Sequence, residues 1–229
     1  MQKYIESRIA EVKDKAARAA ERGGFAPPTL VAVTKKMTDE QLFMTLRAGI
    51  TDIAENYPQN LAKRHELVSQ SGIVMSNMHL IGSLQTNKVK LVLGKAALIH
   101  SLDRESLALA LSKEAKKQGI SADVLLEINC GREANKGGVM PEEAEALAEL
   151  VCSLEGLSLK GLMTMAPVCE QKEDYRPYFK EVRRLYEKMQ ESGMFDTDSP
   201  VLSMGMSGSY EIAAEEGATL IRVGQALYT

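Results

Sequence analysis

Two features far apart in the chain carry residues that could do chemistry together. Near the start, an apolar run ends in Thr34-Lys35-Lys36-Met37. Near the end come two glycine-containing loops, Met204-Gly205-Met206-Ser207-Gly208-Ser209 and Arg222-Val223-Gly224-Gln225. A lysine at a strand end is commonly a solvated charge. Set among apolar walls, its pKa falls and its amine becomes a nucleophile toward carbonyl carbon. Glycines let backbone N–H groups approach an anion closely. Ser207 adds a hydroxyl donor, and the helix expected just after it turns a positive dipole end toward the loop. The same Gly/Ser string also suits a tight turn with an N-cap. A nucleophilic lysine facing a phosphate site points to a Schiff base with a phosphorylated aldehyde. Successive strand side chains point to opposite faces, so at most one of Lys35 and Lys36 faces inward. Periodicity leaves the choice open, because Ala32 and Val33 both suit burial.

These residues can meet only if the intervening chain brings both ends to one place. Short Val/Ile/Leu-rich runs alternate with longer amphipathic stretches. A leading helix is expected over Met1 to Gly23. Strands are expected at Leu30–Lys36, Ile53–Asn56, Met78–Gly82, Ala97–Leu102, Ala122–Asn129, Leu157–Met165, Val201–Met204 and Thr219–Leu227. Helices are expected between them, one of them opened by Pro141. The polar connection Cys169–Arg176 reads as a loop. Eight β units alternating with helices imply a parallel sheet, and eight is the number that closes a (β/α)₈ TIM barrel. An open doubly wound sheet would carry a Gly-rich turn after its first strand; Thr34-Lys35-Lys36-Met37 stands there instead. The expectation is α/β: a single barrel domain over residues 1–229 with an extra N-terminal helix. In such barrels the site lies at the C-terminal ends of the strands, and the loops after strands seven and eight commonly bind phosphate. Lys35, Glu55, Asn56, Asp103, Asn129, Met165 and the two glycine loops all fall there.

Composition narrows the function classes. The formal net charge is −3, with both signs mixed along the chain, which gives no reason to expect nucleic acid or an anionic membrane as partner. No apolar run approaches a membrane helix, and the charged N-terminus lacks the core of a signal peptide. Cys130, Cys152 and Cys169 are far apart and odd in number, so neither a metal site nor a disulfide framework is expected, and a reducing, cytoplasmic setting fits.

Several blocks resemble one family. Ala32-Val33-Thr34-Lys35, Glu55-Asn56-Tyr57, His79-Leu80-Ile81-Gly82-Ser83-Leu84-Gln85-Thr86-Asn87-Lys88, Ser101-Leu102-Asp103-Arg104 and Asn135-Lys136-Gly137-Gly138 run in order along the chain. Gly161-Leu162-Met163-Thr164, Leu202-Ser203-Met204-Gly205-Met206-Ser207 and Gly217-Ala218-Thr219 to Arg222-Val223-Gly224 continue the series. Together they resemble the pyridoxal 5′-phosphate (PLP) homeostasis protein family over nearly the whole length. The resemblance implies a barrel like the N-terminal domain of alanine racemase, with PLP on Lys35 as an aldimine. It implies phosphate binding by Ser207 and the backbone of Met206, Gly224 and Gln225, Arg222 near the pyridine nitrogen, and Asn56 near the cofactor. The chain departs from the family pattern at Thr34, Lys36, Met37 and Thr38, where Ser, Thr, Lys and Pro are usual. Met37 in place of a second lysine puts any PLP transfer step relying on that lysine in doubt. Ala54, Ser209 and the final Thr229 also depart.

With that family's cofactor, the expected chemistry is weak. The electron sink of PLP is strongest when the pyridine nitrogen is protonated. Arg222 only donates hydrogen bonds, so it leaves that nitrogen unprotonated. A racemase compensates with two bases, the second from another domain, and the barrel accounts for all 229 residues. Tyr57 and Tyr210 read as rim packing rather than as that base. The function expected is therefore a carrier in PLP homeostasis, supplying PLP to PLP-dependent apo-enzymes without robust turnover, and a monomer. A low-activity amino-acid racemase is the alternative. A cofactor-free Schiff-base aldolase is the reading from another class, and it would leave the family blocks as coincidence. His79 and His100 read as barrel-lining residues with hydrogen-bond partners, and Cys130 as a bystander thiol. Met163 and Met165 read as adaptable filling. Lys136 reads equally as a cover for the cofactor or as a solvated charge.

Overall fold

The structure is a computed structural model that describes residues 1–73 and 77–228. The chain opens with α1 (Gln2–Gly23), whose positions Ile5, Ile9, Val12, Ala16 and Ala19 are buried. They recur three or four residues apart, which places them on one helical face. Gly24 ends the helix at φ 79°, a conformation glycine adopts without strain.

Seven strand-and-helix units and a final strand follow. They are β1 (Thr29–Val33) with α2 (Asp39–Arg47), β2 (Asp52–Glu55) with α3 (Pro58–Gln70), β3 (Asn77–Leu80) with α4 (Val89–Val92), and β4 (Leu98–Leu102) with α5 (Glu105–Gln118). Then come β5 (Ala122–Ile128) with α6 (Ala144–Ser153), β6 (Leu157–Thr164) with α7 (Arg176–Glu191), and β7 (Val201–Ser203) with α8 (Tyr210–Glu215). Last is β8 (Leu220–Val223). The strands pair in sequence order, and β1 also pairs in parallel with β8, so the sheet closes into the expected barrel. The extra helix packs along α8 through Ala19, Ala20 and Ala214, with an ion pair from Arg22 to Glu215 at 2.6 Å.

The pleat separates two apolar compartments. Val31, Val33, Ala54, Ile81 and Leu220 pack together inside the barrel, and Leu98, Leu125 and Met163 form a second interior cluster. The alternate positions Leu30, Ala32, Ile53, Leu80, Leu126 and Leu162 pack outward against helix residues such as Leu42, Leu61 and Leu107. This division is the period of two expected of a strand buried on both faces.

Some element boundaries differ from expectation. Strand one ends at Val33 and not at Lys36. The Thr34 N–H still donates to the Ala54 carbonyl, but the Met37 N–H turns back onto the Thr34 carbonyl, both at 2.9 Å. Lys35 and Lys36 are therefore the two corners of a tight turn. Thr38 then caps α2, with Gln41 completing a reciprocal capping box. The eighth strand stops at Val223, and Gln225–Leu227 form a 3-10 turn. The connection expected as a loop holds a 3-10 turn at Lys172–Tyr175, and Arg176 already belongs to α7. Pro141 opens a 3-10 turn that leads into α6. The expectation for Thr229 lies outside the described residues. No helix among the described residues is long and apolar enough to cross a membrane.

Candidate functional site

A cavity of about 300 Å³ lies at the C-terminal ends of the strands. Lys35, Asn56, Met206, Ser207, Arg222, Gly224 and Gln225 all line it, together with Val33, Ile81, Met165, Ala226 and Tyr228. The structure thus brings the seven residues that the resemblance implies at the cofactor around one space. Their nearest sequence neighbours fare differently. Lys36 is exposed and takes no part in the lining. The direction of the turn, rather than strand alternation, separates the two lysines.

The turn is held from behind. The Thr34 hydroxyl donates to Glu55 Oε1 at 2.6 Å, and Glu55 is buried with Oε2 unpartnered. Burial pushes the Glu55 carboxyl up, while the bond from Thr34 and the Arg64 charge pull it down. Thr34 therefore keeps a hydroxyl where the family usually has Ser. Met37 packs into the outer core beside Thr45, and its carbonyl accepts from Arg64. The missing second lysine is absorbed here as packing. Lys35 itself is exposed at the cavity rim, a more open setting than the apolar walls expected of a barrel mouth. A second hollow, of about 380 Å³, adjoins its other side and is lined by Asp39, Glu55, Asn60, Lys63, Arg64 and Leu67.

The two glycine loops, which follow the neighbouring strands β7 and β8, form the wall next to Lys35. Ser209 Oγ accepts the Met206 N–H at 3.1 Å, and the Met206 carbonyl accepts from Ser209 and Tyr210 at 2.8 Å. The Met206 N–H is thus already engaged inside the loop. Among the described residues, no group accepts from the N–H of Ser207, Gly208 or Gly224. Space above Gly208 is open, with no atom within 4 Å of a side chain placed there. This is an anion-receptive loop of neutral donors. The helix behind it, α8, is six residues long.

Arg222 rises from β8 through the barrel interior and is only 2 % exposed. Its Nη1 donates to Ser203 Oγ at 2.6 Å and its Nη2 to the Thr164 carbonyl at 2.9 Å. Burial lowers its pKa to about 10, and Glu127 acts in the other direction, so the guanidinium stays charged at neutral pH.

Glu127 was missed by reading the sequence. It is the one charged residue in the inner half of β5, Val124–Ile128, and that break in an apolar run was the available signal. Its side chain is buried. Burial first, and then the like charge of Asp103, push its carboxyl up to about 7 against the pull of Arg222. A carboxyl raised on folding holds its proton more tightly in the folded chain. Its contribution to stability is therefore full below the ordinary value of 4.5 and falls away as pH rises through about 7. Glu127→Gln, a neutral mimic of the protonated form, should leave stability nearly unchanged near pH 4. Near pH 8 it should raise stability by about 1–3 kcal/mol. Thermal melts at the two pH values check this; a variant less stable at the higher value sinks it.

The remaining residues settle as follows. His79 and His100 are buried and hydrogen-bonded to each other. Cys130 is buried in the outer core, where it accepts from the Thr164 hydroxyl and burial raises its pKa. Tyr57 is 63 % exposed ahead of α3, and Tyr210 is buried in the outer core. Lys136 pairs with Glu133 and lies outside the cavity lining. Sequence reading also passed over Val33, Ile81 and Tyr228 as walls of the cavity.

The chain as a whole has counterparts among known proteins. The family model described as alanine racemase, N-terminal domain, matches residues 8–229. The pyridoxal phosphate homeostasis protein of Aquifex aeolicus is 40% identical over 96% of this chain and 96% of its own. A crystal structure of a Bifidobacterium adolescentis protein superposes with TM-score 0.91 at 32% identity, covering 99% of this chain and 95% of that one. PipY of Synechococcus elongatus, solved with PLP bound, superposes with TM-score 0.83 at 26% identity, covering 98% of this chain and all of that one. With the barrel, the cavity and these matches along its length, the chain belongs to the alanine racemase N-terminal domain family and, within reach of that shared fold, to the pyridoxal phosphate homeostasis proteins.

Proposed function

We propose that the cavity holds PLP on Lys35 and that the protein binds and hands on this cofactor within PLP homeostasis, without efficient turnover of its own. The observation that carries the reading is the joint lining of one cavity by an amine, an anion-receptive loop and a donor-only guanidinium. The residues fit the group chemically. Ser207, Gly208 and Gly224 offer neutral donors for a phosphate. Arg222 offers a hydrogen bond to an aromatic nitrogen and cannot readily give up a proton to it. The Asn56 amide lines the cavity with its Oδ1 buried and unpartnered, so a ligand group can complete it. PLP bound there supplies an aldehyde for the lysine and an electron sink for amino-acid chemistry.

The chain's own residues hold and orient that group, and they offer little for moving protons on a substrate. Neither Tyr57 nor Tyr210 lines the cavity. In this reading residues 1–229 act as one PLP-binding barrel, and PLP-dependent apo-enzymes receive the cofactor. The free thiols of Cys130, Cys152 and Cys169 suit a reducing, cytoplasmic setting.

The test is to load the purified protein with PLP, confirm the visible band of lysine-bound cofactor, and add either an apo-enzyme or L-alanine. Activation of the apo-enzyme with unchanged optical purity of the alanine is the expected result. Sustained racemisation would replace the carrier reading with that of a low-activity racemase. Ser207→Ala should raise the dissociation constant for PLP about fivefold while keeping the visible band, since one neutral hydrogen bond contributes about 1 kcal/mol.

A further inference from the structure

Five polar side chains from five strands form a continuous hydrogen-bonded chain through the barrel interior. Arg222 Nη1 meets Ser203 Oγ at 2.6 Å, and Ser203 Oγ meets His100 Nδ1 at 3.1 Å. His100 Nε2 meets His79 Nδ1 at 2.8 Å, and His79 Nε2 meets Asp52 Oδ1 at 3.1 Å. Arg222 lines the cavity at one end of the barrel. Asp52 opens β2 at the other end and lines a hollow there with Asn77, Asp123 and Lys160.

The two ends fix the direction of every proton. Arginine only donates and a carboxylate only accepts. Burial would raise the Asp52 carboxyl, but hydrogen bonds from His79, Thr51 and Asn77 outweigh it and hold it at about 2. Asp52 is therefore an acceptor at neutral pH. Ser203 accepts from Arg222, and the one other partner of its buried hydroxyl among the described residues is His100 Nδ1, so the hydroxyl hydrogen is placed there. His100 is fully enclosed, and burial, followed by the nearby His79 and Arg222, holds its pKa well below the usual value. Its single proton then sits on Nε2 and passes to His79 Nδ1. The proton of His79 sits on Nε2 and passes to Asp52. Every link donates away from the cavity.

We propose that His100 and His79 are positioning residues for Arg222, and that this one-way chain fixes the guanidinium presented to the cavity from the opposite end of the barrel. With Nη1 tied to Ser203 and Nη2 to Thr164, the plane of the guanidinium is set and its remaining donors serve the cavity. The inference rests on the PLP reading only for its effect on ligand binding; the proton order stands without it.

The first experiment is made on the wild-type protein without PLP. Nitrogen-15 NMR of the imidazoles should show the His100 proton on Nε2 and His79 accepting at Nδ1 while donating from Nε2. Protonation on Nδ1 of either ring overturns the proposal. The second experiment titrates PLP into folded variants. His100→Leu should raise the dissociation constant roughly tenfold and shift the visible band, since Ser203 and His79 each lose a buried partner and Arg222 loses the group that orients Ser203. His100→Gln, which keeps a donor and an acceptor, should recover most of the affinity. Asp52→Asn, at the far end and outside the cavity lining, should still weaken PLP binding about threefold and mix the His79 tautomers. It also serves if His100→Leu fails to fold. A purely structural role predicts lower melting temperatures with unchanged affinity and band, and that result, with wild-type binding intact, overturns the proposal. Absence of PLP binding by the wild type would instead overturn the cofactor reading.

Discussion

Lys35→Ala is expected to abolish the visible band that the protein develops with PLP, whereas Lys36→Ala keeps it. The two lysines are adjacent and chemically alike, so the contrast isolates placement. Both sit at the corners of the Thr34–Met37 turn. Lys35 lines the cavity together with the Ser207 loop, and Lys36 does not. Only an amine held in reach of the bound aldehyde gains the large advantage of an intramolecular reaction, which can reach about 7–11 kcal/mol. The change should therefore be all-or-none at stoichiometric PLP. Borohydride reduction of the loaded wild type, followed by peptide mapping, should place the added mass on Lys35. A label on Lys36, or a band that survives Lys35→Ala, sinks the assignment. Because Lys35 is exposed, its removal should leave the melting temperature of the PLP-free protein nearly unchanged.

Gly205→Ala should damage both stability and binding. Gly205 follows β7 at φ 88° and begins the anion-receptive loop. A side chain there is strained by about 1–2 kcal/mol in the left-handed region. Its Cβ would also lie 2.5 Å from Ala213 Cβ and 2.9 Å from Tyr210 Cα. Tyr210 Cα is backbone and Ala213 has no rotamer to yield, so α8 must move away from β7. Forced overpacking of this kind adds about 1–3 kcal/mol. The total expected loss is about 3 kcal/mol, read as a lower midpoint in urea unfolding. The Gly205 carbonyl accepts the Arg222 N–H at 3.0 Å, so the shift reaches both walls of the cavity. PLP affinity should fall at least roughly tenfold in the folded protein. Wild-type stability and affinity together would refute this account of the loop.

The variants divide the cavity into separable parts. In the proposed reading, Lys35→Ala tests attachment of the cofactor, and Ser207→Ala and Gly205→Ala test how well its phosphate is held. His100→Leu and Asp52→Asn test the effect carried through Arg222. Glu127 reports through the pH dependence of stability, because its raised pKa reflects burial beside Asp103 more than any contact with ligand.

Much of this was already written in the order of residue types. The alternation of apolar runs with amphipathic stretches determines the eight units, because buried parallel strands and one-sided helices need those two periods. The Ser207 and Gly224 loops and the lysine after the first strand were legible too, since barrel topology assigns strand ends to one face. Other features depended on contacts between distant parts of the chain. The Thr34–Met37 turn replaced the strand continuation that left Lys35 and Lys36 undecided. Met37 reads as a lost lysine until its burial beside Thr45 shows what the position packs against. Asp52, His79, His100, Ser203 and Arg222 are separated by 19 to 103 residues at each recorded hydrogen bond. No local pattern joins them. The sequence by itself determined a barrel with an amine and an anion loop at its mouth. Only the closed tertiary structure decided which lysine faces that mouth and what holds the arginine behind it, because both depend on side chains meeting across strands that local sequence leaves apart.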